Sequence, residues 1–319
     1  MKQWKIVQFN VKNAFPHGDL KETIYMECPE GYTKGGPGMV CRLRRSLYGL
    51  QQAPRAWFEK FHGTILQAGF VQSHNDPSMF TGQNAQGNTV LLLYVDDMIV
   101  TGSDTERIKE LTQSLHAAFN LKELGEASYF LGLEIHRSAA GLLVNQQKYI
   151  SDLLEIAQFV DCNPCTTPME QNLKLTHEDG VLLEDQTFYR SIVESLIYLT
   201  YTCLEIAYVV QVVSQFMGDA CTTRLDAVHR ILWYLKGTRD VEIFFPADGE
   251  PVMEAYADAD YAGCRDTRRS TSGWCVKIGR SFVSWHCRKQ DKVSKSSPEV
   301  EYRSMLEVST EMVWLQSLF

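Results

Sequence analysis

Asp96 and Asp97 stand side by side inside one of the most apolar stretches of the chain, Leu91-Leu92-Leu93-Tyr94-Val95-Asp96-Asp97-Met98-Ile99-Val100. Burying one ionised carboxylate is costly, and two adjacent ones repel each other. Between two strand-like runs such a pair needs a cation to hold it, or a turn that lifts it into water. The cation reading is a metal site, and paired carboxylates on a metal point to phosphoryl or nucleotidyl transfer. That chemistry uses two divalent ions about 4 Å apart, one activating the attacking oxygen and one steadying the leaving phosphates. A pair of carboxylates on a hairpin and a third on a neighbouring strand would hold both ions. The strand that could supply the third, residues 5–11, offers Asn10 instead.

Other groups could do chemistry. Cys162-Asn163-Pro164-Cys165 has the spacing of half a zinc site, but no second CxxC and no nearby HxxxH accompanies it. Two free thiols in a turn is the reading that stands. Net charge is −8, which argues against a nucleic-acid binder until its distribution is read. From Arg265 to Lys295 nine Lys and Arg face only Asp266 and Asp291, and from Arg42 to Lys60 five face only Glu59. Trp274, Phe282 and Trp285 interleave with the first stripe. Basic stripes on an acidic chain can grip phosphates, and the plain alternative is two solvated faces.

The elements that must position these residues are readable. Residues 5–11 have a strand pattern leading into Asn13-Ala14-Phe15. Residues 24–45 are rich in turn formers, including Gly35-Gly36-Pro37-Gly38, and form a hairpin or loop region. Pro54 opens a helix whose apolar face is Trp57, Phe61, Ile65 and Ala68, ended by Gly69. Residues 89–101 make a hairpin with the aspartates at its tip. Ser103-Asp104-Thr105-Glu106 is a capping box for a helix burying Ile108, Leu111, Leu115 and Phe119. Residues 128–145 return to strand. This order predicts an α+β layer on an antiparallel sheet. Residues 148–240 are mainly helical, with helices expected at 187–217 and 223–236. Strands at 253–259, 272–279 and 281–287 then lead to a helix from Ser297.

At 319 residues there is room for two or three domains, and 45% hydrophobic with 22% charged residues is ordinary for a globular chain. No signal peptide is expected, and Glu205 interrupts the most apolar stretch, 195–217, so no membrane partner is expected. Nine unevenly spaced cysteines argue for reduced thiols in an intracellular setting, cytoplasmic or nuclear.

Four ordered blocks carry a resemblance. Tyr94-Val95-Asp96-Asp97 looks like the YxDD motif of reverse transcriptases. Phe9-Asn10-Val11-Lys12-Asn13-Ala14-Phe15 resembles their first catalytic motif. Ser46-Leu47-Tyr48-Gly49-Leu50-Gln51-Gln52-Ala53-Pro54-Arg55-Ala56-Trp57-Phe58 is similar to the next, and Tyr129-Phe130-Leu131-Gly132-Leu133-Glu134-Ile135 to the strand pair that grips the primer end. Over essentially the whole chain the sequence resembles the polymerase of copia-type LTR retrotransposons. Tyr256-Ala257-Asp258-Ala259-Asp260, Arg268-Arg269-Ser270-Thr271 and Glu299-Val300-Glu301-Tyr302 resemble the ribonuclease H unit that comes after it.

The resemblance implies a palm at 1–147, a helical thumb and connection at 148–250, and a truncated ribonuclease H-like unit at 251–319. It implies Mg2+ or Mn2+ at Asp96 and Asp97, with Asn10 a degenerate third corner, and at Asp258 and Glu301. Glu299 is the fallback for Glu301, and Asp260 reads as a loop carboxylate. Phe15, Tyr48 and Gly49 would face the nucleotide, and Phe130, Leu131 and Gly132 the primer. Arg268, Arg269, Arg288 and Lys289 would hold nucleic acid. The implied partners are an RNA template, a DNA primer, their hybrid and dNTPs. Asn10 where the family has Asp, together with the absence of the fingers segment upstream, predicts very low polymerase activity. The chain ends before the last two ribonuclease H ligands, so that site is expected to be incomplete. Departures also fall at Cys203-Leu204-Glu205, where the family has Arg-Pro-Asp, and at Glu194, where it favours Gly. The alternative reading is a non-catalytic nucleic-acid-binding remnant.

Overall fold

A computed structural model describes residues 4–32, 36 and 38–318. Residues up to Ala127 form one compact unit and those from Ser128 onward another. In the first unit the elements are β1 (Ile6–Val11), β2 (Tyr25–Glu27), β3 (Val40–Arg42), α1 (Ala53–Gln67), β4 (Val71–Gln72), β5 (Met79–Asn84), β6 (Gly87–Tyr94), β7 (Asp97–Gly102), α2 (Thr105–Ala118) and β8 (Leu121–Glu126). Six strands make an antiparallel sheet in the order β4-β5-β6-β7-β1-β8. Alternation puts Val7, Phe9 and Val11 of β1 and Leu91 and Leu93 of β6 into one core. Trp57, Phe61 and Ile65 of α1 and Ile108, Leu111 and Leu115 of α2 recur at helical spacing and close it. The turn-rich segment forms the β2–β3 hairpin. Gly35 and Pro37, read as part of its turn, lie outside the described residues.

The start of α2 corrects one expectation. Asp104, not Ser103, caps the helix, accepting from the Arg107 N–H at 3.0 Å. The Ser103 hydroxyl instead accepts from the Asn88 N–H. A carboxylate is the stronger acceptor at a helix N-terminus, and Asn84 also donates to it at 2.7 Å.

The second unit begins with β9 (Tyr129–Phe130), β10 (Leu133–Arg137) and β11 (Gly141–Asn145). These strands pair onward to β12 (Ile243–Pro246) in a four-stranded sheet, so residues 129–145 belong with the helical region and not with the first sheet. Between them lie α3 (Gln147–Ile156), α4 (Thr187–Leu199), α5 (Ala207–Ser214) and α6 (Thr222–Gly237), which share a core including Tyr189, Leu196, Ile206, Val213, Ile231 and Leu235. The single helix expected over 187–217 is two. The chain leaves α4 at Thr200, makes a short 3-10 turn at Leu204–Ile206 and re-enters as α5. Glu194, one of the departures, points from α4 into solvent and disturbs no packing.

Last come β13 (Met253–Ala259), β14 (Thr271–Ile278), β15 (Ser281–Lys289) and α7 (Ser297–Leu318). The three strands form an antiparallel sheet. One face carries Ala255, Ala257, Trp274 and Val276, which pack with Val308 and Leu315 of α7. The fold is thus a mixed one with antiparallel sheets. Among the described residues no helix is long and apolar enough to cross a membrane.

Candidate active site and nucleic-acid interface

The β6–β7 hairpin turns through Val95 and Asp96, with Tyr94 paired to Asp97. Val95 sits at φ +55, left-handed backbone that a β-branched residue rarely adopts. Two contacts over-determine it. The Trp57 indole N–H donates to the Val95 carbonyl at 2.7 Å, and the Val11 N–H donates to the Asp96 carbonyl at 2.7 Å. Strained backbone persists where its surroundings hold it in this way. The hairpin tip is therefore fixed both from α1 and from β1.

β1 pairs with β7 so that Asn10 stands opposite Asp97. The Asn10 amide nitrogen Nδ2 donates to Asp96 Oδ2 at 3.1 Å and to Asp97 Oδ1 at 3.0 Å. All three side chains are half-buried. Two carboxylates that would repel each other are bridged by the two N–H groups of one amide. The amide orientation is set by its neighbours, because the reverse would press Oδ1 against two carboxylate oxygens.

This donor set does not fit a two-metal centre. The amide NH2 occupies the oxygens an ion would use, and its Oδ1, the atom it could turn to a cation, is a neutral ligand that brings no charge in place of a third carboxylate. Two carboxylates remain where hard divalent ions take several oxygen ligands. Among the described residues no cluster of three or more His, Cys, Asp or Glu able to hold a metal occurs.

Phe15 and Tyr48 come together, with ring centroids 4.7 Å apart. Ser46 Oγ donates to the Phe15 carbonyl at 2.5 Å, which fastens the segment before Tyr48 to the turn after β1. That turn lies on α1 at Gly18, where a Cβ would come within 2.7 Å of the Ala56 and Trp57 backbone. Phe15 is half-buried, Tyr48 is 58% exposed, and Gly49 takes φ +89. Phe130, Leu131 and Gly132 belong to the second unit; Phe130 ends β9 opposite Leu133, and Leu131 at φ +48 and Gly132 at φ +77 make the turn into β10. The Tyr198 hydroxyl donates to the Leu131 carbonyl.

The other two carboxylates are arranged differently. β13 alternates, so Asp258 falls on the opposite face from Ala257, in a cleft of about 610 Å³ with Tyr256, Cys275, Trp285 and Cys287. Glu301 rides on α7, which covers the other face. The Ser304 hydroxyl, fully buried, donates to the Asp258 carbonyl at 3.0 Å. Glu299 accepts from the Lys295 N–H and from the Arg303 guanidinium, both at 2.8 Å, and the two together hold its carboxyl below the usual range. It starts α7 in a box with Ser296, whose hydroxyl accepts from the Glu299 N–H. Asp260 accepts from the Thr271 N–H at 2.5 Å and shapes its own loop.

Thr271 and Ser272 pair with Lys289 and Arg288, which brings Arg268, Arg269, Arg288 and Lys289 to one end of the three-stranded sheet. Arg268, Arg269 and Arg288 are exposed, while Lys289 is half-buried with Nζ 3.2 Å from Cys264 Sγ. Two of the interleaved aromatics are engaged in packing and hydrogen bonding. Trp274 packs toward α7, and the Trp285 indole donates to the Thr200 carbonyl. In the earlier stripe, Arg55 and Lys60 are engaged by Glu59 and Asp19.

Trp57 lies in a block that carries the resemblance, yet its helical spacing signals only core packing. The Ser296–Glu299 spacing is a capping signal that points to a structural role for Glu299.

Residues 1–171 match the family described as reverse transcriptase (RNA-dependent DNA polymerase). The chain is 42% identical over 318 residues to the retrovirus-related Pol polyprotein from transposon RE1 of Arabidopsis thaliana, covering 99% of this chain and 22% of that relative. It is 37% identical over 325 residues to the corresponding polyprotein from transposon TNT 1-94 of Nicotiana tabacum, covering 98% of this chain and 24% of the relative. It is also 38% identical to an uncharacterized mitochondrial protein of Arabidopsis thaliana, over 70% of this chain and 93% of that protein. The chain thus spans under a quarter of the length of the two polyproteins. On these matches the chain belongs to the reverse transcriptase family, as a relative of the Pol polyproteins of copia-type retrotransposons.

Proposed function

We propose that the chain is the palm, the thumb and connection, and the ribonuclease H-like part (251–319) of a copia-type Pol polyprotein, with the palm ending at β8 and the β9–β11 strands belonging to the thumb and connection. By descent it is an RNA-directed DNA polymerase acting on an RNA template, a DNA primer and dNTPs inside the cell. Its polymerase centre no longer turns over. The observation that carries this is the Asn10 amide bridging Asp96 and Asp97 at 3.1 and 3.0 Å. Phosphoryl transfer in this family relies on Mg2+ or Mn2+ at those carboxylates, and the donor set here opposes it. The chain's own residues retain what precedes chemistry: Phe15 and Tyr48 packed against each other for a nucleotide, and Leu131-Gly132 in a tight turn for a primer end.

The second reading, a nucleic-acid-binding remnant, draws on the convergence of Arg268, Arg269, Arg288 and Lys289 at one sheet end. One experiment addresses both. Primer extension with Mg2+ or Mn2+ is run beside an Asp96→Asn control, and affinity for an RNA–DNA hybrid is measured across a salt series. Incorporation is expected at the control level, with a salt-dependent affinity that falls when the four basic residues are neutralised. Incorporation above the control overturns the loss of turnover. An affinity indifferent to the four substitutions overturns the basic end as the binding surface.

A further inference from the structure

We propose that Cys28 and Cys41 are an oxidisable dithiol, a modification site that a peroxide converts to a disulfide across the β2–β3 hairpin. The sequence draws attention to Cys162 and Cys165, whose CxxC spacing is the usual sign of a redox pair. The structure turns those two apart. Cys162 Sγ donates to the Phe159 carbonyl at 2.9 Å, and Cys165 Sγ to the carbonyls of Thr167 and Arg230 at 3.3 and 3.5 Å. Cys28 and Cys41 show no motif, yet their sulfurs lie 3.7 Å apart. Among the described residues no other two cysteine sulfurs come within hydrogen-bonding range.

The hairpin explains the approach. Met26 pairs with Cys41 and Glu27 with Val40, so Cys28 comes just after the last ladder pair and its thiol also reaches the Met39 carbonyl at 3.4 Å. Alternation sets Met26, Cys28, Cys41 and Leu43 on the less exposed side of the ribbon. Both sulfurs are half-buried, within reach of a small oxidant. An isolated two-stranded ribbon is marginal in water, and a covalent tie closing residues 28–41 into a ring would restrict its opening.

In the first step a thiolate of the pair attacks hydrogen peroxide. The O–O bond breaks, hydroxide leaves, and the sulfur becomes a sulfenic acid. The second sulfur then attacks it, the S–S bond forms, and water departs. In all, two thiols lose two electrons and two protons, and one peroxide becomes two waters. A dithiol reductant reverses this by exchange through a mixed disulfide. The neighbouring Cys41 sulfur holds the Cys28 thiol above its usual range, so the reaction quickens toward alkaline pH.

The test uses the full chain, reduced, freed of reductant and treated with hydrogen peroxide before N-ethylmaleimide labelling and tryptic mass mapping. The expected result is the loss of two labelled thiols, Cys28 and Cys41, and a cross-link joining the peptides that end at Lys34 and Arg42. Dithiothreitol restores both labels, while Cys162 and Cys165 stay labelled throughout. Cys28→Ser, on an exposed hairpin, abolishes the cross-link with the fold intact. Full labelling of Cys28 and Cys41 after peroxide overturns the proposal. So do their conversion to sulfinic acids without a cross-link, and a Cys162–Cys165 link forming first.

Discussion

The two carboxylate sets of this chain are built in opposite ways. In the first unit Asp96 and Asp97 lie at the tip of a hairpin that β1 and α1 grip from two sides, and a third side chain bridges them. In the second unit Asp258 and Glu301 are carried on a strand and a helix, and alternation turns Asp258 toward the face that α7 does not cover. The first arrangement is pre-organised by backbone and core. In the second, Asp258 is held through its backbone, by the β14 ladder and by Ser304 on its carbonyl. The scaffold around the first pair is therefore rigid, and a neutral amide, not a third carboxylate, completes it.

Removing the grip on the first pair gives the largest expected effect. Trp57 is 2% exposed, packs against Phe61 and Phe119, and donates to the Val95 carbonyl. Trp57→Ala leaves a large cavity and is expected to cost about 3–5 kcal/mol of stability in chemical denaturation. Trp57→Phe keeps most of the packing and loses the hydrogen bond, for about 1 kcal/mol. If Trp57→Ala cost no more than Trp57→Phe, the hairpin would not depend on α1, and the contrast with the second set would collapse.

Exchanging the bridging amide for a carboxylate gives an intermediate effect. Asn10→Asp removes two hydrogen bonds to charged acceptors and gathers three carboxylates. A loss of about 1–3 kcal/mol is expected in buffer free of divalent ions. Mg2+ or Mn2+ is expected to return most of it, because three carboxylates make the site that the amide denies. The thermal midpoint of the unsubstituted chain stays put under the same ions, and so does that of Asp258→Asn. A clear rise in the unsubstituted chain on adding Mn2+ would mean that Asn10 yields to a cation after all.

Much of the scaffold was legible, because it rests on local periodicity. The alternation of residues 6–11 and the spacing of Trp57, Phe61 and Ile65 fix which faces are buried, and the hairpin around Asp96 and Asp97 is implied by its flanking apolar runs. The hidden part depends on partners distant in the chain. Nothing local states that the Trp57 indole reaches Val95, or that the Asn10 amide reaches both aspartates. Nor does anything local state that the sulfurs of Cys28 and Cys41 meet. For Asp258 half of the answer was visible: its alternation with Ala257 can be read directly, but which face α7 would cover cannot. At Leu204–Ile206 the helical pattern runs on through a break, because the turn keeps Ile206 buried as a continuous helix would.

The smallest expected effect separates a structural carboxylate from a chemical one at the head of α7. Glu299 accepts from the Lys295 N–H and from Arg303, which together hold its carboxyl below the usual range. A group whose value is lower folded than unfolded contributes stability above the ordinary carboxylate range, about 4.3. That contribution is lost as pH falls through the lower folded value. Glu299→Gln should therefore lower the thermal midpoint slightly at neutral pH, and the two proteins should converge in acid. The substitution should leave any response to Mg2+ or Mn2+ unchanged, since the carboxylate is already engaged at both oxygens. A gap that persisted in acid would assign the difference to packing. A changed ion response would make Glu299, rather than Glu301, the helix partner of Asp258.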